Sequence, residues 1–73
     1  MSTERGQKLT PRDLAVLRCA ALGDGVKETA RALALSTDTV KDYRGRAVRK
    51  LKAKSITHAV VLAVLSKVIE VPA

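Results

Sequence analysis

Seventy-three residues, 47% of them hydrophobic but with no Phe, no Trp and one Tyr, make one small domain whose Leu, Val and Ala favour an all-α fold. Fourteen Lys and Arg against seven Asp and Glu give a net charge of +7 and a sequence pI near 10.2, which points to a polyanion, either nucleic acid or an anionic membrane. One ring excludes the stacking platform that single strands and RNA loops need, so duplex DNA is favoured; one Cys excludes an internal disulfide and suits a reducing cytosol.

Met1 to Lys8 is polar and unpatterned, a flexible leader without an apolar targeting core, placed to touch DNA through Arg5 and Lys8. The domain is expected over residues 9–71. Its first helix should run from Pro11 to about Leu22: Thr10 is the cap, Pro11 takes the first position, Asp13 closes a capping box, and Leu9 with Leu14 forms a staple. Leu14, Leu17 and Ala21, helped by Val16 and Ala20, should be buried, with Cys19 a small core residue. Gly23, Asp24 and Gly25 end this helix. The second should run from Val26 to about Ala34 with Val26, Ala30 and Leu33 inward, and Glu28 leaves only the acidic half of a capping box. Lys27, at its amino end, either meets a phosphate or is a solvated lysine.

Only Ala34, Leu35 and Ser36 separate this helix from the third, a link tight enough for a helix-turn-helix. Ser36 is the next cap, Asp38 favours the positive end of the helix dipole, and Leu35 with Val40 has staple spacing. Val40, Tyr43, Ala47, Val48 and Leu51 form one apolar stripe. Residues 41–54 hold seven basic side chains against one acid, Asp42, a local charge of +6. A cationic stripe on a helix suits the phosphates and the major groove of DNA.

Ser55 caps a fourth helix, expected from Ile56 to about Ile69. Ser66, Lys67 and Glu70 would share a narrow side with Ala59 and Ala63, and apolar residues cover roughly 200° of the remainder, more than one core contact needs. Val61, Leu65 and Val68 are the stripe expected to face a partner, and a fully buried terminal helix is the alternative. The longest apolar run, residues 59–65, is far too short to span a bilayer. His58 reads as a polar surface residue. With Cys19 it offers too few ligands for a zinc site, so neither an enzyme, a cofactor nor a metal is expected.

Residues 9–63 resemble, without a gap, the LuxR-type (GerE-like) helix-turn-helix domain of bacterial transcription regulators. The resemblance lies in LTPR-D-xx-VLR, KE-x-AR-x-L, S-xx-TVK, R-xx-RKL and S-x-T-x-AV-x-LA, which cover about three quarters of the chain. It implies a compact four-helix domain with the third helix in the major groove and a symmetric dimer through the fourth. Carried over by position, it assigns Lys41, Asp42 and Gly45 to the bases with Arg44 and Arg46 beside them. Lys27, Thr37, Thr39, Arg49, Lys50 and Lys54 become phosphate contacts, which position without reading sequence. Four positions depart from the pattern. Arg44 replaces an apolar residue on the inner edge of the third helix, Ala34 stands where glycine is common, and Lys52-Ala53 replaces a common Gly-Val.

The expected function is a sequence-specific, double-stranded DNA-binding transcription regulator of the bacterial cytoplasm or nucleoid, a homodimer on an inverted repeat. Met1 and the short leader favour a complete chain over the output domain of a larger regulator. The alternative is a stand-alone interaction module that binds RNA polymerase or another LuxR-type regulator. A membrane-surface role is weak, because the basic and apolar faces belong to different helices.

Overall fold

The computed structural model describes residues 8–70; the leader through Gln7, with Arg5, and the expected domain end at Val71 lie outside the described residues. Four helices form, α1 Pro11–Ala21, α2 Val26–Leu33, α3 Thr37–Lys50 and α4 Ile56–Leu65, with no strand among the described residues. Their starts follow local chemistry. The Thr10 hydroxyl accepts from the Asp13 amide at 3.1 Å while Asp13 Oδ2 accepts from the Thr10 amide at 2.9 Å, a complete capping box behind Pro11. Glu28 Oε1 accepts from the Gly25 amide at 2.9 Å, the acidic half alone. Ser36 Oγ accepts from the Thr39 amide at 3.1 Å.

At α4 the Ser55 hydroxyl accepts from the His58 amide at 3.1 Å, and His58 Nδ1 accepts from the Lys54 amide at 3.0 Å. His58 is thus a half-buried polar residue at the surface that also takes part in the start of its own helix.

All four helices end in one way. A residue with positive φ follows the last turn, Gly23 at 89°, Ala34 at 57°, Lys52 at 56° and Lys67 at 62°. The next amide bonds back to a carbonyl of the helix: Asp24 to Cys19, Leu35 to Ala30, Ala53 to Val48 and Val68 to Ala63. These Schellman closures satisfy carbonyls that would otherwise lack partners and reverse the chain. The closure at Lys67 stops α4 at Leu65, four residues before the expected Ile69, and turns Ile69 back into the core, where it is 3% exposed.

The core is Leu17, Ala47, Ala59, Ala63 and Ile69, with Leu9, Leu14, Val48, Leu51, Ile56, Val60 and Val64 packed around it. Ala59 and Ala63 are wholly buried. They are the inner face of α4, not part of a polar side, since Ser66, Lys67 and Glu70 lie beyond the helix end. Having no bulk, they let α4 approach α1 and α3 closely. On α1, Asp13, Val16, Leu17 and Cys19 are buried, whereas Leu14, Ala20 and Ala21 are half-buried. Burial pushes the Cys19 thiol up, as does the nearby Asp24. On α2, Thr29 and Ala30 are buried, with Val26 and Leu33 half-buried.

Left-handed backbone costs a residue with a Cβ about 1 to 2 kcal/mol, a cost glycine lacks. Ala34→Gly and Lys52→Gly should therefore each stabilise the domain by about 1 kcal/mol, read as a raised midpoint in urea melts with an unchanged slope.

Candidate nucleic-acid interface

The turn between α2 and α3 consists of left-handed Ala34 followed by half-buried Leu35 and the Ser36 cap. It sets α3 directly after α2. Val40 and Ala47 are wholly buried along one seam of α3. With about 3.6 residues per turn, Asp38, Lys41, Asp42, Gly45 and Arg49 fall on the side away from that seam, with Arg46 at its edge. All are exposed except half-buried Gly45. The helix thus presents a polar outer face wide enough for a groove.

Two of the basic residues expected on this interface are directed inward. Arg44 is half-buried and, with Asp24, Ile56, Thr57, Val60 and Val61, lines a cleft of about 290 Å³ beside the end of α1. Its phase, close to Val40, removes it from the base-facing side. Lys50 Nζ lies 2.6 Å from Asp13 Oδ2, the Lys side chain 18% exposed and the Asp 1%. Its charge is directed at an internal carboxylate, which corrects its placement among the outward cations. With both turned inward, the exposed face is of mixed charge, Asp38 and Asp42 standing among Lys41, Arg46 and Arg49.

The other expected site residues stand as follows. The Arg46 guanidinium stands 5.5 Å from the centroid of the Tyr43 ring, a cation–π pair on the flank of α3. Thr37 is exposed in the first turn of α3, and Thr39 Oγ1 accepts from Ser36 Oγ at 2.9 Å. Lys27 is exposed in the first turn of α2, and Lys54 is exposed in the link to α4. Two features were not anticipated. Asp38 is outward as well as first-turn, which its position on the helical wheel reveals. Arg12 reaches the carbonyl of Leu33 at 3.5 Å, a contact across 21 positions for which the sequence carries no local signal.

Val61 and Leu65 are 48% and 73% exposed, one turn apart on α4. Val68, 39% exposed, lies past the end of α4, so the expected three-residue helical stripe is two residues on the helix and one in the turn. Leu22, 60% exposed at the end of α1, is the other large apolar residue left open among the described residues. No helix among them is long and apolar enough to cross a membrane.

The Asp13 carboxyl is governed by competing effects. Burial alone pushes its pKa up, but the hydrogen bond from Lys50 and those from Thr10 outweigh burial and hold it below the ordinary value.

Residues 7–63 match the family model described as GerE, bacterial regulatory proteins, luxR family. The chain is 42% identical over 55 residues to the uncharacterized transcriptional regulatory protein YvfU of Bacillus subtilis, covering 75% of this chain and 28% of that protein. It is 37% identical over 62 residues to the transcriptional activator protein BjaR1 of Bradyrhizobium diazoefficiens, covering 85% and 26%. The same organism's nodulation protein W is 37% identical over 54 residues, covering 74% and 24%. The chain spans about a quarter of the length of the curated relatives it matches.

Asp13 titrates lower folded than unfolded, so its contribution to stability is complete above the unfolded value of about 3.8 and is lost as pH falls through the folded one. Chemical denaturation from pH 6 downward should show wild-type stability falling below about pH 4. Asp13→Asn, less stable at pH 6, should show a shallower fall over the same window.

Proposed function

The chain belongs to the LuxR family of bacterial regulatory proteins, and on that premise we propose a sequence-specific regulator of transcription that lays α3 in the major groove of double-stranded DNA. The observation that carries this reading is the exposed polar face of α3, opposite a fully buried seam, on the second helix of a tight helix-turn-helix. Lys41 donates to guanine O6 or N7, and Asp42 accepts from a cytosine amino group. Lys27, Thr37, Thr39 and Lys54 contact phosphates and set the register. Two matched relatives bear names of transcriptional regulation, YvfU as a regulatory protein and BjaR1 as an activator, which supports the same role here in the bacterial cytoplasm or nucleoid.

The protein acts as a homodimer on an inverted repeat, its copies meeting through Val61, Leu65 and Val68. The exposure of these side chains supports the dimer, since apolar surface of this kind in a small domain favours association. The same surface, with Leu22, supports a second reading, a module that binds RNA polymerase or another regulator. Selection from a random duplex pool at physiological salt separates the two. An inverted repeat is expected, and general, salt-sensitive binding without enrichment would favour the interaction module.

Lys41→Ala should weaken binding to the selected site by about 1 to 3 kcal/mol and relax preference at one base pair of each half-site; unchanged affinity and preference would remove α3 from the groove. Replacing Val61 and Leu65 together by Glu should give a folded monomer in sedimentation equilibrium with little affinity for the repeat. A wild type already monomeric on its DNA would end the dimer reading.

A further inference from the structure

Gly45 is the one glycine inside a helix among the described residues, and such a glycine destabilises its helix by about 1 kcal/mol relative to alanine. Nothing in its backbone requires it. Its φ lies outside the left-handed region, and a Cβ there would meet only Arg49 Nη1, at 3.5 Å. The feature of Gly45 is therefore the space above it, which the Arg49 guanidinium borders. Helical side chains lean toward the amino end, so Arg49 lies over the turn before its own, about 5.4 Å along the axis.

We propose that Arg49 is a base-reading residue which, over the flat surface left by Gly45, presents its guanidinium fork to a guanine in the major groove. This inference rests on the DNA-binding reading above and replaces the phosphate role expected for Arg49. Nine residues after Val40 is two and a half turns, so Arg49 stands diametrically opposite the buried seam. It makes no ion pair among the described residues, where the one salt bridge is that of Lys50 with Asp13. Arg46, the other exposed arginine of α3, stacks on Tyr43 at the flank. Arg49 alone holds a planar fork at the centre of the outward face, and that fork matches guanine O6 and N7 in a bidentate pair, which a lysine cannot reproduce. Its reach toward the amino-terminal half of α3 brings it to the part of a recognition helix that meets base edges.

The test compares wild type, Arg49→Ala, Arg49→Lys and Gly45→Leu on duplexes enriched by wild type from a random pool, and on versions changed one base pair at a time. Arg49→Ala should lose about 10- to 100-fold on the enriched site and all preference at one G·C pair of each half-site, with other positions read as before. Arg49→Lys should keep general affinity and lose the same preference. Gly45→Leu, which keeps Arg49 but fills the space beside it, should lose that preference too while melting no lower than wild type, and the double variant should lose no more than either single one. Equal loss on every sequence for Arg49→Ala, or an intact preference in Gly45→Leu, overturns the inference alone. A pool from which wild type enriches no sequence overturns the regulator reading and this inference with it.

Discussion

One oxygen of Asp13 joins the beginning of the domain to the end of its outward-facing helix. Oδ2 takes the amide of Thr10 and the ammonium of Lys50, so the first turn of α1 and the last turn of α3 share one buried acceptor across 37 positions. The other oxygen, Oδ1, is buried without a partner, a desolvation cost that the two bonds to Oδ2 must offset. Buried pairs of this kind are weak sources of net stability, but removing one partner is costly because it leaves the other charge stranded. The seam of Val40 and Ala47 already decides which side of α3 turns inward. The pair adds a polar tie between the last turn of α3 and the start of α1 to what that seam fixes.

The second constraint is conformational. Each helix is stopped by a left-handed residue, and three of the four carry a Cβ. That strain follows from the need for sharp reversals in so short a chain. Ala34 sets the entry to α3, Lys52 its exit, and Lys67 returns Ile69 to the core. Packing holds these residues where their own preferences would not, so the helix-turn-helix geometry is a property of the whole domain.

The elements visible in the sequence are those specified within a few residues. The caps at Thr10, Ser36 and Ser55, the proline at the start of α1 and the tight link before Ser36 can be read because each acts across three or four positions. Arg44 belongs to this class as well, since its phase on α3 marks it as an inner-edge residue. Lys50 was not legible in this way. In the sequence it is one more cation in a basic run, and only the fold brings it to Asp13. The inner face of α4 is hidden from the sequence for a different reason. A helix running to Ile69 would put Ser66, Lys67 and Glu70 on the side of Ala59 and Ala63, whereas the left-handed turn at Lys67, which lacks the glycine that normally announces it, shortens the helix and leaves that side to the core.

With two basic residues turned inward, the outer face of α3 combines Lys41 and Arg49 with Asp38 and Asp42 around Gly45. A mixed, partly flat face of this kind is suited to discrimination between base edges, and in the proposed function Lys27 and Lys54 would supply general attraction to the backbone. Titrating isotopically labelled protein with duplex DNA at physiological salt, and following each backbone amide by NMR, locates the contact most directly. The account predicts that the largest shifts fall at Asp38, Lys41, Asp42, Gly45 and Arg49, with smaller ones at Lys27 and Lys54. Shifts concentrated at Val61 and Leu65, or none on α3 at saturating DNA, would contradict it.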